Sequence, residues 1–307
     1  MSDLLVADQV GRWYGQVVGL AELSLTIAGG ITGLVGPNGA GKSTFLKLVA
    51  GEIKPSRGSI QVLGCNPFAN AAYFRRVGFC PQQESLYDDM TGMEMVMFLM
   101  RLHGYSRADS RRLASAALDR AGIDEARNRR TAGYSKGMRQ RVKIAQAIAH
   151  GPELIVADEP LSGLDPVGRA EISALFNEIG RGGVHVLVSS HVLHEVETLT
   201  PNIVLFHRGR LLAQGTVHDV RKLLSRHPRR VEIRARDVRR LAQALIGLSD
   251  VSSVKLTHDG TRAAIETHDL ERFFGELTQL APRERAGITS LESHDSSLEA
   301  VFDYLVG

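Results

Sequence analysis

Gly36-Pro37-Asn38-Gly39-Ala40-Gly41-Lys42-Ser43-Thr44 decides the fold of this chain. The nine residues fit G-x-x-x-x-G-K-[ST], a glycine-rich loop whose backbone N–H groups cradle phosphate. The flanks turn the pattern into a structural expectation. Ile31–Val35 is a short apolar run suited to a buried strand, and Phe45-Leu46-Lys47-Leu48-Val49 opens an amphipathic helix. Strand, loop and helix therefore follow in the order that aims a helix's positive end at an anion. In that setting Lys42 is expected to reach the outer phosphates of a nucleoside triphosphate, and the Ser43 hydroxyl to bind Mg²⁺.

The remainder of the chain bounds what this loop serves. A length of 307 residues suits about two domains, and 43% hydrophobic residues is ordinary for packed globular protein. No apolar run approaches the ~18 residues of a membrane-spanning helix. Met1-Ser2-Asp3-Leu4 lacks the basic and apolar regions of a secretory leader, so none is expected. Cys65 and Cys80 have no metal-like spacing and read as free thiols of a reducing cytosol. A net charge of +3 is too small to imply nucleic acid. Residues 101–150 nevertheless hold twelve Lys/Arg against four Asp/Glu. That excess fits either a solvated helical face or a surface near anionic lipid or phosphate.

Leu4–Val10 and Leu23–Ile27 read as an opening strand pair, with short strands at Ile60–Leu63 and Val77–Cys80. Helical periodicity then dominates residues 90–150, as in Leu113-Ala114-x-Ala116-Ala117-Leu118, so a helical insert is expected. Strands return at Leu154–Ala157, His185–Ser189 and Asn202–Phe206, with helices near 167–180 and 193–199. This alternation predicts an α/β domain with a parallel, doubly wound sheet. From Pro228 and its basic neighbours a linker is expected over 218–229. Strands at Val231–Arg234, Val251–Leu256, Arg262–Glu266 and Ile288–Leu291, with helices near 237–248 and 269–281, then give β-α-β-β-α-β. That order predicts a small ferredoxin-like domain over 230–307, closed by a helix at Ser297–Leu305.

Two further segments carry chemistry. Leu154-Ile155-Val156-Ala157-Asp158-Glu159 is an apolar strand ending in two acids, where a parallel sheet opens its ligand crevice. Asp158 is the expected Mg²⁺ partner, and Glu159 is placed to orient or deprotonate an attacking water. In Tyr134-Ser135-Lys136-Gly137-Met138, Ser135 reads as the N-cap of a strongly helical stretch. Its helix start is either a plain cap or a second anion cradle. As the chain repeats no phosphate loop, a second cradle points to the nucleotide of another copy.

Taken together, these segments resemble the nucleotide-binding subunit of an ATP-binding cassette (ABC) transporter over about residues 4–217. The resemblance implies a P-loop NTPase fold: a RecA-like parallel sheet, an antiparallel β subdomain, and a helical subdomain over about 88–150. It implies ATP and Mg²⁺ as cofactors and assigns roles residue by residue. Tyr14 resembles the aromatic that stacks on adenine, although Trp13 stands beside it. Gln82 resembles the glutamine that touches Mg²⁺ and the attacking water, with Gln83 the alternative. Ser135 and Gly137 resemble the signature segment that closes over a partner's nucleotide, and Asp165 in Ser162-Gly163-Leu164-Asp165 resembles the loop crossing the dimer interface. His191, after Ser189-Ser190, resembles the switch histidine that holds the γ-phosphate.

The signature departs from the usual Leu-Ser-Gly-Gly-Gln at Tyr134, Lys136 and Met138, a variant that looks like that of ABC-2 type exporters. A thioether at Met138 cannot copy an amide's hydrogen bonds, and Lys136 either adds charge near the γ-phosphate or points to solvent. The C-terminal region, with Ser297-Leu298-Glu299-x-x-Phe302, is similar to the appendage of ABC-2 ATPases. Its fourteen basic and fourteen acidic residues over 218–307 form no catalytic cluster. Met90, Met93, Met95, Met97 and Met100 suit either an adaptable docking surface or the core of the helical insert. The implied assembly is a homodimer bound peripherally at the cytoplasmic face of the inner membrane, driving a separate permease, with no nucleic acid. The competing expectation is a soluble ABC-type ATPase acting on nucleic acid or the ribosome. A P-loop kinase would leave the signature and switch-histidine segments without a role.

Overall fold

The computed structural model describes residues 3–83, 86–224, 229–257, 260–284 and 286–293. The chain divides into two compact units, Met1–Val217 and His218–Gly307.

The first unit opens with β1 (Leu5–Tyr14), β2 (Val17–Ile27) and β3 (Ile31–Val35), followed by α1 (Lys42–Val49) and β4 (Arg57–Val62). After the single turn α2 (Ala71–Phe74) come β5 (Val77–Cys80), α3 (Gly92–Leu102), α4 (Arg107–Arg120) and α5 (Lys136–Ile148). The unit closes through β6 (Leu154–Ala157), α6 (Pro166–Arg181), β7 (His185–Ser190), α7 (Leu193–Glu197), β8 (Asn202–His207) and β9 (Arg210–Thr216).

A six-stranded sheet runs β5-β6-β7-β3-β8-β9, parallel throughout except for antiparallel β9. Both of its faces are covered. On β6, Leu154 and Val156 join one apolar cluster while Ile155 and Ala157 join the other. The four residues of β6 are accordingly all apolar, as double burial requires. A separate antiparallel sheet, β2-β1-β4, contributes Leu5, Leu20 and Ile60 to the cluster that holds Phe45 and Phe206, whose rings lie 5.4 Å apart.

The opening strands are longer than the sequence reading gave. β1 extends to Tyr14 and turns at Gly15, whose φ is 61°, so Tyr14 emerges at a hairpin end. Strand β9 escaped the reading because it is a half-buried edge strand paired on one side only. The turn before it ties three parts together. Gly209 N donates to Ala40 O at 2.9 Å, and Gly209 O accepts from Ala21 N at 2.8 Å.

The helical insert is an α3–α4–α5 cluster. Met95 and Met100 are buried in it, and Met90, Met93 and Met97 pack partly buried against it. The methionines therefore belong mainly to this core, while Phe98 and Leu102 are the exposed apolar side chains of α3. Glu94 forms a capping box with Thr91 at the start of α3.

In the second unit the segment expected as a linker holds α8 (Val217–Leu224), an amphipathic turn pair that the basic composition hid. Then come β10 (Arg229–Ala235), α9 (Val238–Leu245), β11 (Val251–Leu256), β12 (Arg262–Thr267), α10 (Leu270–Arg283) and β13 (Ile288–Ser293). Their antiparallel sheet has the order β11-β12-β10-β13, the ferredoxin-like arrangement. Asp237 and Asp269 cap α9 and α10 by accepting from Arg240 N and Arg272 N. The expected helix at Ser297–Leu305, its Ser297–Phe302 motif and the stretch Arg226–Pro228 lie outside the described residues.

Candidate nucleotide site

Parallel strands place the carboxyl ends of β3, β6 and β7 at one edge of the sheet, where each continues into a loop. From β3 the chain enters the phosphate loop. Gly41 precedes α1 with a φ of 102°, a left-handed conformation that favours glycine, and gives no side-chain cap. The first-turn N–H groups of α1 are left for an anion. Lys42 is 5% exposed, and its Nζ donates to Gly36 O at 2.6 Å and Pro37 O at 3.2 Å. It also stands 3.5 Å from Glu159 Oε1. Burial pulls the pKa of this ammonium down, and the neighbouring Glu159 and Asp158 carboxylates work against that shift.

At the end of β6, Asp158 and Glu159 are both buried. Ser189 of β7 serves both. Its Oγ donates to Asp158 Oδ1 at 2.6 Å and accepts from Glu159 N at 2.8 Å. Glu159 has a φ of 51°, a left-handed backbone that a residue with a side chain adopts only under constraint. That turn leaves its carboxylate between two groups, with Lys42 Nζ at Oε1 and His191 Nδ1 2.8 Å from Oε2. With Nδ1 committed to Glu159, Nε2 is the ring nitrogen left for another partner.

A cavity of about 500 Å³ brings together Tyr14, the loop Asn38–Thr44, Gln82 and Glu159, a volume that suits a small-molecule ligand. Tyr14 is 42% exposed, and the Arg12 guanidinium lies 4.8 Å over its ring centroid, covering one face. Trp13 does not line the cavity, and its ring lies across Gly11 instead. Gln82 lines the cavity, whereas Gln83 does not. The Ser43 hydroxyl and Gln82 amide of this cavity, with the Asp158 carboxylate next to Glu159 in the chain, are hard oxygen ligands of the kind Mg²⁺ takes. Among the described residues no cluster of three or more His, Cys, Asp or Glu is placed to hold a metal unaided. An ion held by these donors would complete its shell from phosphate and water.

Seven expected residues do not line this cavity. Gly36 and Pro37 precede its lining stretch of loop, Asp158 adjoins Glu159 in sequence, and His191 reaches it only through its hydrogen bond to Glu159. Ser135, Gly137 and Asp165 do not line it. Ser135 caps α5 by accepting from Met138 N at 3.2 Å, and Asp165 caps α6 by accepting from Gly168 N at 3.2 Å. Lys136 does not line the cavity and is exposed. Its chain lies across Gly163, where an added Cβ would fall 2.4 Å from Nζ. There it borders a smaller cleft shared with Gln82, Lys143 and Glu159.

Two residues at the site escaped the sequence reading. Ser189 sits in the Ser-Ser-His segment that was read only for its histidine. Lys143 lies within α5, and nothing in the linear pattern announces that its amine meets the segment after β5.

A phosphate loop leading into α1, an acidic strand end and a glutamine at one cavity, with a histidine hydrogen-bonded to the strand-end Glu159, define an ATPase of the P-loop class. The comparisons narrow this. The ABC transporter family matches residues 20–162. The daunorubicin/doxorubicin resistance ATP-binding protein DrrA of Streptomyces peucetius is 31% identical over 91% of this chain and 85% of its own length. The bacitracin transport ATP-binding protein BcrA of Enterococcus faecalis is 29% identical over 100% of this chain and 97% of its own. Among solved structures, an ATP-binding subunit of an ABC transporter is 30% identical with a TM-score of 0.64, covering 72% of this chain and 93% of that one. A dimeric bacterial ABC transporter cassette is 25% identical at the same TM-score, covering 69% and 98%. The chain belongs to the ABC transporter family. Within it the chain is an ATP-hydrolysing subunit of the ABC-2 exporter type, which displaces the reading as an ATPase of nucleic acid or the ribosome.

Proposed function

We propose that two copies of this chain enclose two ATP·Mg²⁺ and that closing and reopening of this sandwich drives export through a separate permease. One observation carries the proposal. Tyr14, Lys42, Ser43, Gln82 and Glu159 line one cavity, while Ser135 and Gly137, a second anion cradle at the start of a 13-residue helix, do not line it. A cradle turned away from its own nucleotide is explained by a partner's nucleotide.

In this reading adenine stacks on the face of Tyr14 that Arg12 leaves open, and the loop Gly36–Thr44 holds the phosphates. Lys42 exchanges its loop carbonyls for phosphate oxygens. Ser43, Gln82 and Asp158 would hold Mg²⁺, and the ion would supply neutralisation of phosphate charge. Glu159 accepts a proton from water as that water's oxygen bonds to the γ-phosphorus. The bond to the bridging oxygen breaks, giving ADP and phosphate. His191 holds the γ-phosphate through Nε2, and Asp165 lies at the interface between copies. No helix among the described residues is long and apolar enough to cross a membrane. By its likeness to transporter ATP-binding subunits we assign the chain to the cytoplasmic face of the inner membrane, docked on its permease, with residues 230–307 as an accessory domain. The likeness to a bacitracin transport protein and a daunorubicin/doxorubicin resistance protein supports a role in transport.

The test is complementation. Lys42→Ala and Ser135→Ala variants are each expected to lose turnover alone. A mixture contains dimers with one intact composite site, so ATP hydrolysis should reappear on mixing. Failure of the mixture to exceed the sum of its parts would overturn the shared site.

A further inference from the structure

Helix α5 holds β5 and the segment that follows it at three points along one face. Ala147 meets β5 so closely that a Cβ on Gly78 would fall 1.9 Å from the Ala147 carbonyl oxygen. One turn earlier Lys143, 3% exposed, donates from Nζ to Pro81 O at 2.8 Å and Gln82 O at 3.1 Å, with Gln83 O at 3.5 Å. One turn earlier again, Gln140 Nε2 lies 3.6 Å from Cys80 Sγ. Arg139 adds an ion pair to Asp88 at 2.7 Å.

The lysine is the unexpected member. Its helix neighbours Val142 and Ile144 are fully buried apolar residues, and an apolar side chain would serve packing equally well. A buried ammonium is costly unless its protons are satisfied, and here consecutive carbonyls satisfy them. Those carbonyls belong to the peptides flanking Gln82, so the contact fixes the backbone from which Gln82 reaches the nucleotide cavity. The same helix begins with Ser135, Lys136 and Gly137.

We propose that Lys143 is a positioning residue for Gln82, clamping its backbone and passing any shift of the Ser135–Gly137 turn on to it. The proposal rests on the reading of Gln82 as the contact to Mg²⁺ and the attacking water.

The test is a double-mutant cycle in the full chain with Lys143→Met and Gln82→Ala. Lys143→Met should lower kcat on the order of tenfold to a hundredfold through misplacement of Gln82. It should raise the Mg²⁺ concentration for half-maximal turnover and leave ADP binding within about twofold. With Gln82 already alanine, the added loss should shrink to under about twofold. Independently of activity, the amides of Gln82 and Gln83 should exchange hydrogen faster while those of β5 do not. Equal losses in both backgrounds, or unchanged exchange, would overturn the clamp. Normal turnover in Gln82→Ala would overturn both the clamp and the reading beneath it. An impaired Gln82→Ala with an additive cycle would overturn the clamp alone. If Lys143→Met does not fold, Lys143→Arg enters the same cycle, where coupling to Gln82 supports the proposal and additivity overturns it.

Discussion

His191 Nδ1 lies 2.8 Å from Glu159 Oε2, so the residue read as the base and the residue read as the γ-phosphate sensor form one hydrogen-bonded unit. Lys42 stands 3.5 Å from the other carboxylate oxygen. Glu159→Gln keeps the shape but cannot accept the proton. Turnover should fall by about 10²-fold or more, while ATP binding persists and an ATP-bound dimer accumulates on size exclusion. Wild-type rates in this variant would refute Glu159 as the base.

Ser189 Oγ bridges Asp158 Oδ1 and Glu159 N inside the sheet edge. Ser189→Ala leaves a buried carboxylate short of a donor and a buried N–H short of an acceptor. Denaturant unfolding should show a loss of about 1–3 kcal/mol, with turnover falling alongside. Unchanged stability and rate would remove Ser189 from the site.

Gly78→Ala puts a methyl group 1.9 Å from the Ala147 carbonyl oxygen. Backbone cannot rotate away as a flexible side chain does. The expected cost is about 1–3 kcal/mol or more, read as a lowered thermal midpoint.

His150 gives the pH dependence a defined window. Its ring stacks on His103 at 4.4 Å, and burial, with His103 beside it, lowers its pKa from 6.5 to about 4. Between those values the unfolded chain binds a proton that the folded chain refuses. Stability from this site is therefore complete above pH 6.5 and lost as pH falls toward 4, by up to about 3 kcal/mol. His150→Leu should flatten that part of the stability profile. A profile unchanged by the substitution would contradict the assignment.

The two cysteines should differ sharply in reactivity. Cys80 is fully buried, and burial pushes its thiol up to about 12, whereas Cys65 is partly exposed. A thiol-titrating disulfide at pH 8 should label one thiol per native chain and two after denaturation. Labelling of both at equal rates in the native chain would refute the burial of Cys80.

The parts legible in the sequence were those whose physics is local. Leu154–Ala157 is a wholly apolar buried run and Ile31–Val35 a mostly apolar one broken only by Thr32 and Gly33, so short runs gave their bounds directly. Asp158-Glu159 follow β6 directly, and Gly41-Lys42-Ser43 lie one short turn beyond β3, so the loop and acids came with the strands. The rest depends on partners distant in sequence. Arg210–Thr216 pairs on one edge and alternates weakly. Ser189 becomes informative only when β7 is laid against β6, and Lys143 only when α5 is laid against the continuation of β5. Lys136 had two open readings, and its exposed side chain, lying across Gly163, became visible only in the fold.

The peptide of Gly209, bonded on one side to Ala40 of the phosphate loop and on the other to Ala21 of the antiparallel sheet, makes the chain a gauge. Tyr14 belongs to that sheet and Lys42 to that loop, so the span between them is set by covalent geometry and two hydrogen bonds. A ligand with a base but fewer phosphates fills only part of this calibrated length. The spacing of the Tyr14 ring and the Lys42 amine is thereby held by a turn that touches neither.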